Sequence, residues 1–136
     1  MISGIEYIRN MKIPILGICL GMQLMIIEYF KNVIGIKDAT SEEFDKDGTN
    51  VITRINTNDN NIGGTMRLGF SLKNIYNQEK ILERHRHRYA INDNFKNILN
   101  ENNCLVSGLS EEGIIEIIEL KNHPWYIGCQ YHPEYN

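Results

Sequence analysis

Positive charge is in short supply. Fourteen Lys and Arg against 17 Asp and Glu leave a formal net charge of −3. Nothing in that balance points to nucleic acid or an anionic membrane as the main partner. No apolar run approaches the roughly 20 residues needed to cross a bilayer. The opening residues, MISGIEYIRNMK, lack the apolar core and small-residue cleavage site of a secretion signal. Cysteine is sparse: Cys19, Cys104 and Cys129 are an odd number with no Cys-x-x-Cys, which fits reduced thiols in a cytoplasmic protein. There is no Gly-x-x-x-x-Gly-Lys-Ser/Thr phosphate loop, and no internal repeat. What is present is ordinary: 136 residues, 42% hydrophobic and 23% charged, the size and composition of one globular domain.

The chain is organised around residues 13–30, IPILGICLGMQLMIIEYF. Residues 13–18 are apolar and β-branched, which predicts a buried strand. Pro14 opens it, an acceptable place for proline. Residues 20–30 hold no proline and no glycine except Gly21, so a helix follows, apolar nearly all round and hence well buried. Between them lies Gly17-Ile18-Cys19-Leu20-Gly21. A strand, a tight turn and a helix with a nucleophile at the apex is the arrangement of α/β-hydrolase-type sites. The glycines are read as freeing the backbone to bend and substrate to approach. A thiol at a helix N-terminus is favoured as thiolate by the dipole. A small buried hydrophobe is the bland alternative for Cys19.

Before this unit, residues 2–11 read as an amphipathic helix with Ile5, Ile8 and Met11 on one face. After it, residues 37–44 (KDATSEEF) read as a polar loop and residues 51–55 as a short strand. Residues 56–64 are polar, Asn-rich and end in Gly-Gly, a surface loop. Residues 82–91 alternate basic and aromatic side chains. An alternating strand there would send His85 and His87 to one face and Arg84, Arg86 and Arg88 to the other; three interleaved arginines repel a cation, so no metal site is assigned. Residues 95–100 read as a short helix and 104–107 as a strand. Residues 114–120 and 125–131 form an antiparallel hairpin across Asn122-His123-Pro124. The whole predicts an α/β fold: a mostly parallel central sheet, flanking helices and an antiparallel extension.

The chain ends near Cys129-Gln130-Tyr131-His132-Pro133-Glu134. A cysteine nucleophile needs a base that takes its proton and later returns it, and histidine suits that work near neutral pH. The base needs an orienting group, commonly a carboxylate. His132 and Glu134 lie two apart, and on an extended segment they share a face.

Gly-Ile-Cys-Leu-Gly-Met-Gln and Cys-Gln-Tyr-His-Pro-Glu together resemble the class I, triad-type glutamine amidotransferases. Residues 63–69 (GGTMRLG), 83–89 (ERHRHRY) and 122–125 (NHPW) narrow the resemblance to the glutaminase domains of CTP synthases. It runs from Ile13 to Glu134. It implies that Cys19 is the nucleophile, His132 the base and acid, and Glu134 its orienter. Glutamine binding falls by the same resemblance to Leu20, whose N–H is an oxyanion donor, to Gln23, to Glu43 at the α-ammonium and to Arg88 at the α-carboxylate. Glu42 is the alternative if the register slips by one. Arg67 belongs to a segment linked in that family to the interdomain boundary and to GTP activation.

The resemblance further implies a parent polypeptide with a synthase domain using ATP, UTP and Mg²⁺, GTP as allosteric activator, and a homotetramer. No cofactor is implied within 1–136. Two departures stand out. The family domain begins earlier, with strands and a Gly-rich loop that gives the second oxyanion donor, and it continues past His-Pro-Glu. The expectation is a domain incomplete at both ends and weakly active or inactive alone. Ala90 stands where an acidic residue is common. Two other readings remain: the amidotransferase domain of another biosynthetic enzyme such as GMP synthetase, which GGTMRLG argues against, and a catalytically silent structural or regulatory domain.

Overall fold

The computed structural model describes residues 1–55, 64–68, 80–83 and 87–135. Residues 56–63 of the loop predicted over 56–64, and the run Arg84-His85-Arg86, lie outside the described residues, while Gly64 opens a strand. Helix α1 (Ile2–Asn10) leads into β1 (Ile15–Ile18), and β1 into α2 (Leu20–Tyr29). One π-helical turn, Phe30–Ile34, prolongs α2. It stops at Gly35, whose φ of 93° suits glycine, and the Gly35 and Ile36 N–H groups both donate to the Phe30 carbonyl. Strands β2 (Ala39–Ser41), β3 (Thr49–Arg54), β4 (Gly64–Leu68), β5 (Lys80–Glu83) and β6 (Tyr89–Ile91) follow, then helix α3 (Lys96–Glu101) and strands β7 (Cys104–Ser110), β8 (Ile115–Leu120) and β9 (Tyr126–Cys129).

The strands form two sheets. Six lie in the order β1-β9-β8-β7-β4-β5 and three in the order β2-β3-β6. In the large sheet β1–β9 is the parallel pair. The remaining pairings are antiparallel, so the expected antiparallel extension is the larger part of the described sheet and the parallel portion is one pair. The small sheet adds a second parallel pair, β2–β3. Strand β8 runs through the middle and is buried on both faces, as its IEIIEL sequence suggests.

Helix α2 lies between the sheets. Its Met22 and Ile26, with Phe30 of the π-helical turn, share one core with Ala39, Val51, Ile52 and Ile91 of the small sheet and Ile115 and Ile118 of the large one. That position explains why α2 is apolar all round. Close approach to β1 and β9 depends on two glycines: a Cβ on Gly17 would stand 2.1 Å from the Met25 sulfur, and one on Gly128 2.8 Å from Met22 Cγ. Helix α1 is clamped to α2 by a bidentate ion pair, Arg9 to Glu28, with Nη2 2.7 Å from Oε1 and Nε 3.0 Å from Oε2. Asn32 donates to the same carboxylate.

Three expectations change. Strand β1 is an edge strand among the described residues and Leu16 is 50% exposed, so its apolar run is not uniformly buried. The polar stretch 37–44 contains a strand, β2, because Ala39 and Ser41 are small enough to sit fully buried beside β3. Residues 82–91 are not one alternating strand. β5 ends at Glu83 in the large sheet and β6 begins at Tyr89 in the small one.

Candidate active site

The parallel pairing of β1 with β9 sets Ile18 beside Cys129, so the carboxyl ends of both strands lie together. That is where open α/β sheets place their sites. Cys19 follows β1 by one residue, and its N–H donates to the Cys129 carbonyl at 2.8 Å. His132 follows β9 by three. Cys19 caps α2 with φ 53° and ψ −109°, a conformation that costs a non-glycine residue roughly 1–3 kcal/mol. The strain therefore falls on the cysteine itself. Gly17 serves helix packing, and a Cβ on Gly21 would meet nothing within 4 Å, which leaves the outer side of the turn open.

Burial pushes the Cys19 thiol above its ordinary range. The Leu20 N–H and the Gln130 amide pull the other way, and the charges of Glu134 and Glu116 add to the upward push. Desolvation thus opposes the preference for thiolate expected at the helix N-terminus. Cys104 and Cys129 are buried deeper and their thiols are pushed up to about 12.

His132 Nδ1 lies 2.7 Å from Glu134 Oε1. The hydrogen bond to His132 holds the Glu134 carboxyl below the usual range. The pair does not sit on an extended segment as predicted. Pro133–Tyr135 is a 3₁₀ turn closed by Tyr135 N–H to the His132 carbonyl. Proline fits the first position of such a turn, where its missing N–H is not needed, and the turn folds Glu134 back onto His132.

The small sheet gathers the other expected residues. β2 runs parallel to β3 and β6 antiparallel to it, so the end of β2 and the start of β6 lie at the same end of the sheet. Glu43 follows β2 and Arg88 precedes β6. Strands β2 and β6 themselves are two strand spacings apart, about 10 Å. Both Glu43 and Arg88 are exposed. Glu42, in contrast, is spent on the sheet: its carboxylate accepts from the Arg54 N–H at 2.8 Å. Gln23 is buried, and its amide donates to the Tyr89 carbonyl and to Gln130 Oε1. Leu20 is 45% exposed at the turn. Arg67 lies on β4, paired with Lys80 and Leu109. His87 is turned inward, with Nδ1 2.9 Å from the Tyr89 carbonyl oxygen and Nε2 3.5 Å from Glu116. No metal-binding cluster occurs among the described residues.

The family model for glutamine amidotransferase class-I matches residues 1–136. The chain belongs to that family. It is similar to the CTP synthase of Nautilia profundicola, at 41% identity over 98% of this chain and 29% of that protein. Its identity to the CTP synthase of Geobacter sulfurreducens is 46%, over 98% of this chain and 27% of that one. The chain therefore spans less than a third of the length of these relatives. Among solved structures it resembles the glutaminase domain of Trypanosoma brucei CTPS with bound acivicin, with a TM-score of 0.91 and 28% identity over 99% of this chain and 58% of that one. A glutamine amidotransferase from Thermotoga maritima shares the fold at a TM-score of 0.63 and 17% identity, over 96% and 45% of the two chains.

This amidotransferase domain is homologous to the CTP synthase glutaminase domain, as ERHRHRY and GGTMRLG suggested. One residue of its site escaped the sequence. Gln130 is wholly buried, and its amide Nε2 lies 3.5 Å from Cys19 Sγ. Its place in Cys-Gln-Tyr-His-Pro-Glu was visible; its reach to a cysteine 111 positions away was not.

Proposed function

We propose that this chain is the glutamine-hydrolysing unit of a CTP synthase, supplying ammonia to a synthase domain of the same polypeptide. The observation that carries the reading is the placement of the strained Cys19 and of the His132–Glu134 pair just beyond the neighbouring ends of two parallel strands. Glutamine is a zwitterion, and Glu43 and Arg88 at one end of the small sheet are a matching acceptor and donor for its ammonium and carboxylate. Burial pushes the Cys19 thiol up, so attack calls on His132 as base. Glu134 holds that imidazole and stabilises its charged form.

Sγ bonds to the side-chain amide carbon as His132 takes the thiol proton. The oxygen becomes an oxyanion facing the Leu20 N–H; one such donor typically contributes about 2.7–4 kcal/mol to the transition state. The C–N bond breaks as His132 returns the proton to departing ammonia, leaving a thioester. Water, deprotonated by His132, attacks the thioester and releases glutamate and the thiol. Gln23 shapes the floor beneath the substrate. In the parent protein the ammonia is used in the ATP-dependent amination of UTP to CTP, chemistry whose ATP, UTP and Mg²⁺ sites belong to the synthase domain. GTP activation and a tetramer, with Arg67 near the interdomain boundary, complete the proposal.

The test uses the full-length protein with ATP, UTP and Mg²⁺. Cys19→Ala is expected to abolish CTP formation from glutamine and to retain it from ammonium salt at raised pH. Retained glutamine-dependent synthesis would remove Cys19 from the mechanism. No CTP from wild-type protein with either nitrogen source would remove the CTP synthase assignment.

A further inference from the structure

A ladder of side-chain amides runs from β6 to the nucleophile. The Tyr89 carbonyl accepts from Gln23 Nε2 at 3.3 Å. Gln23 Nε2 also donates to Gln130 Oε1 at 3.2 Å, and Gln130 Nε2 lies 3.5 Å from Cys19 Sγ. The direction of the ladder follows from donor and acceptor chemistry. A carbonyl can only accept, so Gln23 must present its NH₂ to Tyr89. That NH₂ has two hydrogens, and the second meets Gln130. Gln130 therefore offers its oxygen to Gln23 and is left with N–H to turn toward the sulfur. Flipping Gln23 would set oxygen against oxygen, and flipping Gln130 would set its NH₂ against that of Gln23, in a buried space where an unmade hydrogen bond is costly.

We infer that Gln130 is a positioning residue for the nucleophile: its amide N–H, locked in direction by Gln23, holds Cys19 Sγ in place and stabilises the thiolate that attacks. The inference rests on the glutaminase reading and adds to it a side-chain donor on the sulfur, which leaves the Leu20 N–H for the oxyanion. It also gives Gln23 a task beyond lining the substrate site. The strained φ of Cys19 aims the side chain, and the ladder fixes where it stops. The anchoring carbonyl belongs to the residue next to Arg88, so nucleophile and substrate-carboxylate strand share one rigid frame. The charges facing Cys19 are Glu134 on the 3₁₀ turn and Glu116 on β8, with His132 beside Glu134. Both carboxylates oppose the thiolate, which makes a neutral donor on the sulfur the more useful.

The experiment measures alkylation of Cys19 by iodoacetamide against pH in the full-length protein, read by mass spectrometry of the Cys19 peptide. Gln130→Met keeps the volume and removes both hydrogen bonds. Its alkylation midpoint is expected to rise by about one pH unit, a tenfold loss of thiolate. The glutamine kcat should fall while KM changes by less than about twofold. Gln23→Met cuts the ladder one rung earlier and should move the midpoint the same way, by less. A role in packing alone would lower the melting temperature and leave the midpoint in place. Superimposed alkylation profiles for wild type and a folded Gln130→Met would overturn the inference; if that variant does not fold, an unshifted profile for Gln23→Met does the same. Alkylation needs no turnover, so a wild-type protein without glutaminase activity would defeat the functional reading while the midpoints still decide the role of Gln130.

Discussion

Two ion pairs of equal length sit in opposite surroundings. Arg9–Glu28 and His132–Glu134 both close to 2.7 Å. The Glu28 side chain has no exposure, whereas Glu134 is 45% exposed and its partner 28%. Distance alone would rank them together. Surroundings separate them: removing one partner from a buried pair strands a charge in the interior, while an exposed pair is screened and contributes little to stability. The first pair clamps α1 onto α2. On the function proposed above, the second contributes through chemistry, its carboxylate orienting the His132 ring.

The sharpest way to break this comparison is Glu134→Gln in the full-length protein. Glutamine-dependent turnover is expected to fall on the order of 10²- to 10⁴-fold, with the melting temperature nearly unchanged. Turnover within threefold of wild type would show that the exposed pair is not part of the catalytic machinery.

Glu28→Ala should do the reverse. Leaving Arg9 without its carboxylate is expected to cost about 3–5 kcal/mol of stability, measured by urea unfolding, with activity per folded molecule close to wild type. The comparison sharpens with the double variant Arg9→Met, Glu28→Leu. Replacing a whole buried pair by apolar groups is often neutral or stabilising, so much of the loss should be recovered. If the double variant is as unstable as Glu28→Ala, the clamp depends on charge and not on packing.

What the sequence disclosed follows a similar division between local and distant causes. The elbow was legible because strand, turn and helix are contiguous and β-branched residues give way to helix formers within a few positions. The His-Pro-Glu partnership was legible as chemistry although its geometry was not: Pro133 opens a 3₁₀ turn where an extended segment was expected. Strand β2 was hidden because Ala39, Thr40 and Ser41 carry no apolar signal, and their burial comes from β3 alongside. Alternation across residues 82–91 suggested one strand, yet β5 and β6 belong to different sheets. Period-two patterning does not show where a chain leaves one sheet for another. Gln130 was invisible as a site residue for the plainest reason: a glutamine declares its partner only when the fold brings one 111 positions away.

The smallest effect expected is in the acid dependence of stability, and it distinguishes the two pairs by sign. The His132 hydrogen bond lowers the Glu134 pKa below its ordinary value of 4.5. A carboxyl with a depressed folded-state pKa stabilises the native state above that ordinary value and loses the contribution as pH falls through the folded one. Arg9 shifts the other way, raised above its already high ordinary value chiefly by its hydrogen bond to Glu28. Its contribution is complete below that value and is lost only at higher pH. Titration of Arg9 therefore changes nothing between about pH 5 and pH 9. Urea midpoints of wild type and Glu134→Gln, compared from about pH 5 down to pH 3, should differ by a small gap that closes as the solution is acidified. A gap that widens over that range would mean that the Glu134 carboxyl is held neutral rather than ionised in the native state, and would reverse the role assigned to it beside His132.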